Sequence, residues 1–347
     1  MRTEGLNRRS LVFGMAGLGL GLGACASTHP EPQILINLAE VEAIEPAPIP
    51  EPERSSHFAL GRDDFDRMTI PVRLNGQGPF NFVVDTGATR TVVCTELAAQ
   101  LELPNSGLAE IHGIAGAEVH PTVLIGLLQA DAVGTRAIRA PTLPRARLGC
   151  DGLLGVDVLR GRLLTLDFLR RRLRIGPARR QDDTRTPFDL RHDAVGSDDD
   201  LGTPVIVPAQ YRFGQLIIVA ADVLGHPVKA FLDSGSQSTV GNVRLNQVSM
   251  TAANPHAPVA PRLQTQVLSA TGQTASGDVG RLPPLRIGGL TITGLNVVFA
   301  DLHVFDLWQL QRTPAILIGI DVMRRFSALQ LDYAARQVLF YPRPRAR

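Results

Sequence analysis

The chain has 347 residues, 44% of them apolar, which allows about two domains of ~100 to 200 residues with buried cores. Its 35 basic and 33 acidic residues nearly cancel, and the balance becomes even once residues 1–25, with Arg2, Arg8, Arg9 and Glu4, are set aside. That surface offers no basic footprint for nucleic acid, and the eight scattered histidines lack metal-binding spacing such as HExxH, so neither a nucleic-acid partner nor a metal or other cofactor is expected.

Residues 1–25 read as a lipoprotein signal peptide. Asn7-Arg8-Arg9-Ser10 precedes an apolar, glycine-rich run from Leu11 to Leu22, too short for a bilayer-spanning helix. Leu22-Gly23-Ala24-Cys25 closes the run like a bacterial lipobox, which makes Cys25 the expected lipidation site and mature N-terminus. Arg8-Arg9 fits a twin-arginine export signal. Residues 26–60 read as an extended tether, with Pro46, Pro48, Pro50 and Pro52 alternating with small, apolar and acidic residues, and Ile34 to Ile44 as a short docking segment within it. The expected location is the cell envelope, facing the periplasm. Ala26-Ser27 lacks the acidic residue associated with inner-membrane retention, which favours the outer membrane.

The remainder is one pattern written twice. Phe80 to Val93 runs apolar into Asp85-Thr86-Gly87 and apolar out again, and Val228 to Val240 does the same around Asp233-Ser234-Gly235. Gly152-Leu153-Leu154-Gly155-Val156-Asp157 has its counterpart in Ile316-Leu317-Ile318-Gly319-Ile320-Asp321. The next segments agree as well: Leu164 to Phe168 matches Leu329 to Tyr333, and Arg172 to Ile175 matches Gln337 to Phe340. The predicted structure is all-β. A strand pair leads into each acid: Met68 to Leu74, a turn at 75–78, then Phe80 to Val84; and Leu216 to Leu224, a turn at 225–227, then Val228 to Leu232. Short helical turns are expected after Gly155 and Gly319. These boundaries give lobe 1 at 61–176, a charged linker at 177–203 and lobe 2 at 204–343.

Asp85-Thr86-Gly87-Ala88 and Asp233-Ser234-Gly235-Ser236, each in a hydrophobic frame, resemble the active-site turn of retropepsin-like aspartic proteases. Leu153-Leu154-Gly155 and Leu317-Ile318-Gly319 resemble the family's apolar-apolar-Gly segment, which crosses beneath that turn and holds it. The resemblance covers both lobes and implies two retropepsin-like β-barrels about a pseudo-twofold axis. It further implies an aspartic endopeptidase with Asp85 and Asp233 as catalytic pair, complete in one chain, monomeric, and acting on peptide or protein substrates. Thr86 and Ser234 would bond across to the opposite lobe, and Gly87 and Gly235 would leave room for backbone amides to reach the carboxylates. An alternative is a non-catalytic peptide-binding or assembly lipoprotein that keeps only the shell.

Each lobe should add a flap. Gly113-Ile114-Ala115-Gly116 is the candidate tip in lobe 1, and Thr271-Gly272 in lobe 2. The only tyrosines are Tyr211, Tyr333 and Tyr341, so neither tip carries the tyrosine of pepsin-like flaps. Asp157, Asp321, Asp167 and Asp332 recur in both copies and read as structural acids, while Trp308, the single tryptophan, should pack in lobe 2 beside a substrate pocket. Once Cys25 is acylated, Cys94 and Cys150 remain, either as a disulfide favoured by an oxidising envelope or as two buried thiols. Ser236 has a hydroxyl where lobe 1 has Ala88, and that hydroxyl is expected to donate to the nearby carboxylate and lower its pKa.

Overall fold

The structure, a computed structural model, describes residues 56–59, 61–62, 67–177, 201–212, 214–218, 220–251, 263–269 and 273–343. The signal segment 1–25 with Cys25, nearly all of the tether, most of the linker, and Thr271 and Gly272 lie outside the described residues.

The all-β expectation holds, and the internal repeat is visible in the strand order. In lobe 1 the order is 68–74, 77–84, 152–154, 92–94, 133–143, 117–130, 105–112. In lobe 2 it is 215–218, 229–232, 315–318, 240–241, 295–299, 274–282, 263–268, the same seven positions. In each lobe the strand entering the acid pairs in parallel with the apolar-apolar-Gly strand. Val84 lies opposite Leu154, and Leu232 opposite Ile318. The strand leaving the acid pairs antiparallel on the other side of that same strand. Where a strand has neighbours on both edges and cover on both faces its residues must be apolar on both sides, and at the end that leads into Asp85 the residues Phe82, Val83 and Val84 are all fully buried.

The lobes share a central sheet. From lobe 1 come Ser56–Ala59, Arg172–Pro177 and Arg162–Asp167, and from lobe 2, in mirrored order, Phe326–Asp332, Gln337–Pro342 and Val205–Arg212. The repeated segments meet at its centre, with Leu164 opposite Leu331 and Leu166 opposite Leu329, so the pseudo-twofold axis passes between them. Ser56–Ala59 falls within the stretch read as tether, and is a correction to that boundary. It pairs with Arg172–Ile175 and buries Phe58, taking the place that Val205–Arg212 takes in lobe 2. The alternating prolines end before it, which is why the strand can form.

The hairpin before Asp85 matches its prediction. Asn75 and Gly76 both adopt positive φ, the conformation a two-residue turn needs to match strand twist. Its lobe 2 counterpart differs. The predicted strand 216–224 is divided into Gln215–Ile218 and Ala221–Val223, and the second piece joins a separate four-stranded sheet with 226–227, 285–287 and 290–292. Lobe 1 runs unbroken through Ala117–Ala130, whereas Pro283-Pro284 interrupts the equivalent path in lobe 2, because proline supplies no ladder donor.

Candidate active site

Both Asp-Thr/Ser-Gly turns lie where the lobes meet, and they are tied to each other reciprocally. The Thr86 hydroxyl donates to the Leu232 carbonyl at 2.8 Å and accepts from the Ser234 amide at 3.0 Å. The Ser234 hydroxyl donates to the Val84 carbonyl at 2.7 Å and accepts from the Thr86 amide at 3.0 Å. Below, Asp85 and Asp233 each donate a backbone N–H to the carbonyl before the crossing glycine, Leu154 and Ile318, both at 3.0 Å. The amides of Val156 and Ile320, first in the short helices Val156–Leu159 and Ile320–Met323, then donate to the carbonyls of Ala88 and Ser236. Gly155 and Gly319 must be glycine here, since a Cβ would stand 2.4 Å from the Arg90 carbonyl carbon and 2.7 Å from that of Ser238.

The carboxyl groups are held alike. Asp85 Oδ1 accepts from the amides of Gly87 (2.8 Å) and Ala88 (3.0 Å), and Asp233 Oδ1 from those of Gly235 (3.0 Å) and Ser236 (3.1 Å). The turn glycines do more than free their own amides. A Cβ on Gly87 would lie 2.5 Å from Asp233 Cγ, and one on Gly235 2.4 Å from Asp85 Cγ, so each glycine vacates the space that the opposite lobe's carboxyl fills. The two carboxyl groups are thereby brought within hydrogen-bonding reach of each other. Burial pushes both above the ordinary carboxylate range, and at Asp233 the neighbouring Asp85 charge pushes further in the same direction. The guanidinium of Arg67 acts oppositely on Asp85 and favours its ionised form.

Residues 70–161 match the family described as gag-polyprotein putative aspartyl protease, and residues 219–322 match the family described as aspartyl protease. Each match contains one Asp turn and its crossing glycine. The chain belongs to the retropepsin-like aspartic proteases, with two lobes in tandem. A search of curated proteins returned no match. The fold expected for the family, all-β and bilobal, is the fold described above.

Other expectations divide. Asp157 and Asp321 are structural in this protease fold: they accept from the amide and hydroxyl of Thr91 and of Thr239, and so brace the strand leaving each turn. Asp167 accepts from the amide of Arg170, and Asp332 from that of Ala335. The disulfide alternative is not realised, because Cys94 and Cys150 are both buried thiols. Cys94 Sγ accepts from the Leu97 amide as the N-cap of the helix Thr95–Gln100, and the Cys150 thiol is directed at the Gly152 carbonyl, 3.1 Å away. The Ser236 hydroxyl is also a correction: it donates to the Ser238 carbonyl at 2.8 Å, and only its amide serves Asp233.

The lobe 1 flap is a hairpin of Asn105–His112 and Ala117–Ala130 with Gly113, Ile114 and Gly116 at its tip. In lobe 2 the corresponding hairpin pairs Leu263–Leu268 with Thr274–Leu282. Between flaps and carboxyl pair lies a cleft enclosing about 100 Å³, apolar mainly on the lobe 2 side, where Phe231, Leu302, Val304, Trp308 and Leu317 line it. Trp308 stacks on Phe231 at 4.4 Å, as a wall of the expected pocket.

Four residues of the site have no motif to announce them. Gln215 donates its side-chain amide to the Gly87 carbonyl at 2.8 Å from across the lobe boundary, and Arg67 charges the surroundings of Asp85. These two stand at the same offset from each other as Asp85 from Asp233, so the repeat, extended upstream, was the available signal. Gln273 and His303 fasten the lobe 1 flap to lobe 2, and nothing in their sequence surroundings marks that role.

Proposed function

We propose that this chain is an active aspartic endopeptidase in which Asp85 and Asp233 hydrolyse a peptide bond through a water held between them. The observation that supports this reading is that each turn glycine makes room for the opposite carboxyl group, with both carboxyls fixed by paired backbone amides. Two carboxyl groups this close retain one proton between them, as in aspartic proteases generally. The ionised member removes a proton from the water while its oxygen attacks the carbonyl carbon, and the protonated member donates to the carbonyl oxygen. Collapse of the tetrahedral intermediate breaks the C–N bond, with a proton passed to the leaving amine. The Arg67 charge favours Asp85 as the base, leaving Asp233 as the acid. The apolar lobe 2 wall fits a large apolar side chain beside the scissile bond. The test is a diverse peptide library incubated with the protein beginning after Cys25, for wild type and Asp85→Asn. Cleavage by the wild type alone is expected, and the same pattern from both would leave a binding protein with a protease shell.

The raised carboxyl pair has a consequence for pH. The reactive state carries one proton, and burial lets the pair keep it into the neutral range, so activity should be bell-shaped with its maximum at mildly acidic to near-neutral pH. A pH–rate profile already falling above about pH 5 would contradict this.

We further propose export and attachment to the envelope through lipid on Cys25, with residues beyond it acting as spacer and the enzyme working as a monomer. The support is the lipobox pattern and the presence of both half-sites in one chain. Cys25→Ser should move the protein from the membrane fraction to the soluble fraction or stall its processing. Unchanged membrane attachment would rule the lipid anchor out.

A further inference from the structure

The lobe 1 flap does not stand free over the cleft. His303 opens the lobe 2 helix His303–Leu307, and its amide donates to the Ile114 carbonyl at the flap tip at 2.8 Å. Ile114 itself rests on the cluster that contains Phe231 and Trp308. The Nδ1 of His112, at the end of the flap strand, lies 2.9 Å from the Nε2 of His303. With ring centroids 5.2 Å apart and planes inclined by 8°, nitrogens at that distance place the rings edge to edge in nearly one plane, joined by N–H···N. His112 is buried, and its other nitrogen has no hydrogen-bond partner and faces Glu110 Oε2 at 3.8 Å. That arrangement suits a proton on His112 Nε2, with His303 as donor to His112 Nδ1.

We propose that the His112–His303 pair is a proton-operated latch that holds the lobe 1 flap shut over the cleft and releases it in acid. The cleft's use by substrate rests on the peptidase reading, but the latch itself does not. An N–H···N bond needs one lone pair. The neutral pair has it, and the singly protonated pair has it with a stronger, charge-assisted bond. A second proton sets N–H against N–H and charge against charge. That second proton is resisted by the burial of His112 and by the charge of His303, and helped by Glu110. Release therefore falls below the pH, about 6.5, at which an ordinary histidine titrates. The open state binds more protons than the closed one, so closure weakens as pH falls through that region.

The other groups near the pair do not reproduce this behaviour. Asp301 and Asp306 flank His303 along the chain, and the carboxyl pair lies across the cleft. The second fastening is Gln273, which accepts from the Ala115 amide and donates to Glu118. Hydrogen bonds, first from Arg147, hold the Glu118 carboxyl at about 2, so it stays ionised while histidines titrate. His120, 3.1 Å from Glu118, is a further partner of the same carboxyl.

Trp308, the only tryptophan, belongs to the apolar cluster on which Ile114 packs and lines the cleft the flap covers, so its access to solvent reports the flap. The experiment measures acrylamide quenching of Trp308 between about pH 8 and pH 4, with far-ultraviolet circular dichroism alongside, in protein carrying Asp233→Asn to suppress self-cleavage, the His303→Gln variant separating the latch from titration of Asp85. Quenching should rise several-fold in one step below about pH 6 with the strand signal unchanged. His303→Gln, whose amide can bond His112 in either charge state but cannot titrate, should remain protected throughout, and His112→Ala should be quenched already at about pH 8. The absence of a step, the same step in His303→Gln, or a step that coincides with loss of strand signal would each overturn the latch. Because the readout needs no catalysis, an inactive chain that shows the step would fail the peptidase reading alone.

Discussion

Asp85→Asn and Asp233→Asn should each lower peptide cleavage by at least about 10³-fold, measured as kcat/KM on any peptide the wild type cuts, because general acid–base transfer through a positioned side chain contributes ~10² to 10⁴ and each change removes one of the two partners that must act together. With Asn at 85 the group that takes the water's proton is gone, while burial still holds Asp233 above the ordinary carboxylate range, so an acid survives without a base. With Asn at 233 a base survives without an acid. Turnover within about tenfold of wild type in either variant would remove the two-carboxylate mechanism.

The same substitutions should affect stability in the opposite direction. Both carboxyls are raised by burial, so the folded state holds protons that the unfolded chain has released. Stability contributed by the pair is complete below the ordinary carboxylate pKa and declines as pH rises towards the folded values, by about 1.4 kcal/mol per pH unit for each extra proton retained. Removing one acid removes part of that slope. Asp233→Asn should therefore melt higher than wild type near neutral pH, and the difference should shrink on acidification towards pH 4. Equal melting temperatures across the range would mean that the carboxyl pair is not strained by its burial.

Much of this arrangement was legible in the sequence because the repeat is constrained on several levels at once. An acid in an apolar strand, a glycine two positions on and an apolar-apolar-Gly segment further along each serve one local contact, and all of them recur. The hydroxyls of Thr86 and Ser234 were readable for the same reason. What the sequence did not display is contact between unlike elements of the two lobes. Gln215 reaches Gly87, and Gln273 reaches the lobe 1 tip, through side chains that would be unremarkable on any surface strand. The His112–His303 bond joins residues whose proximity depends on how far one flap leans over the other lobe, which no local pattern records. Ser236 was misread because its amide and its hydroxyl compete for the same neighbourhood, and the Ser238 carbonyl captured the hydroxyl. The strand at 56–59 was missed because its partner, Arg172–Ile175, is remote in sequence and already paired on its other side.

Thr86→Val should destabilise the fold by about 2 to 6 kcal/mol, read from chemical denaturation near neutral pH. Valine keeps the shape of threonine but withdraws the hydroxyl, leaving the Leu232 carbonyl and the Ser234 amide buried without those partners, at about 1 to 3 kcal/mol each. Ser234→Ala orphans a different pair, the Val84 carbonyl and the Thr86 amide, and should cost a similar amount. Although the two sets of partners do not overlap, the double variant should lose less than the sum of the singles. Once one set is broken, the turns can part slightly and water can reach the groups the second substitution orphans, and contacting residues of this kind couple by about 0.5 to 3 kcal/mol. Thr86→Ser keeps both bonds and should stay within about 1 kcal/mol of wild type. The central sheet, joined through Leu164 and Leu331, sets the limit on this effect, since it holds the lobes together without the turns. A loss under about 0.5 kcal/mol in Thr86→Val would assign lobe cohesion to that sheet alone. A full loss in Thr86→Val, with Thr86→Ser unaffected, would locate the cooperative link between the lobes in the same two hydroxyls that keep the carboxyl groups face to face.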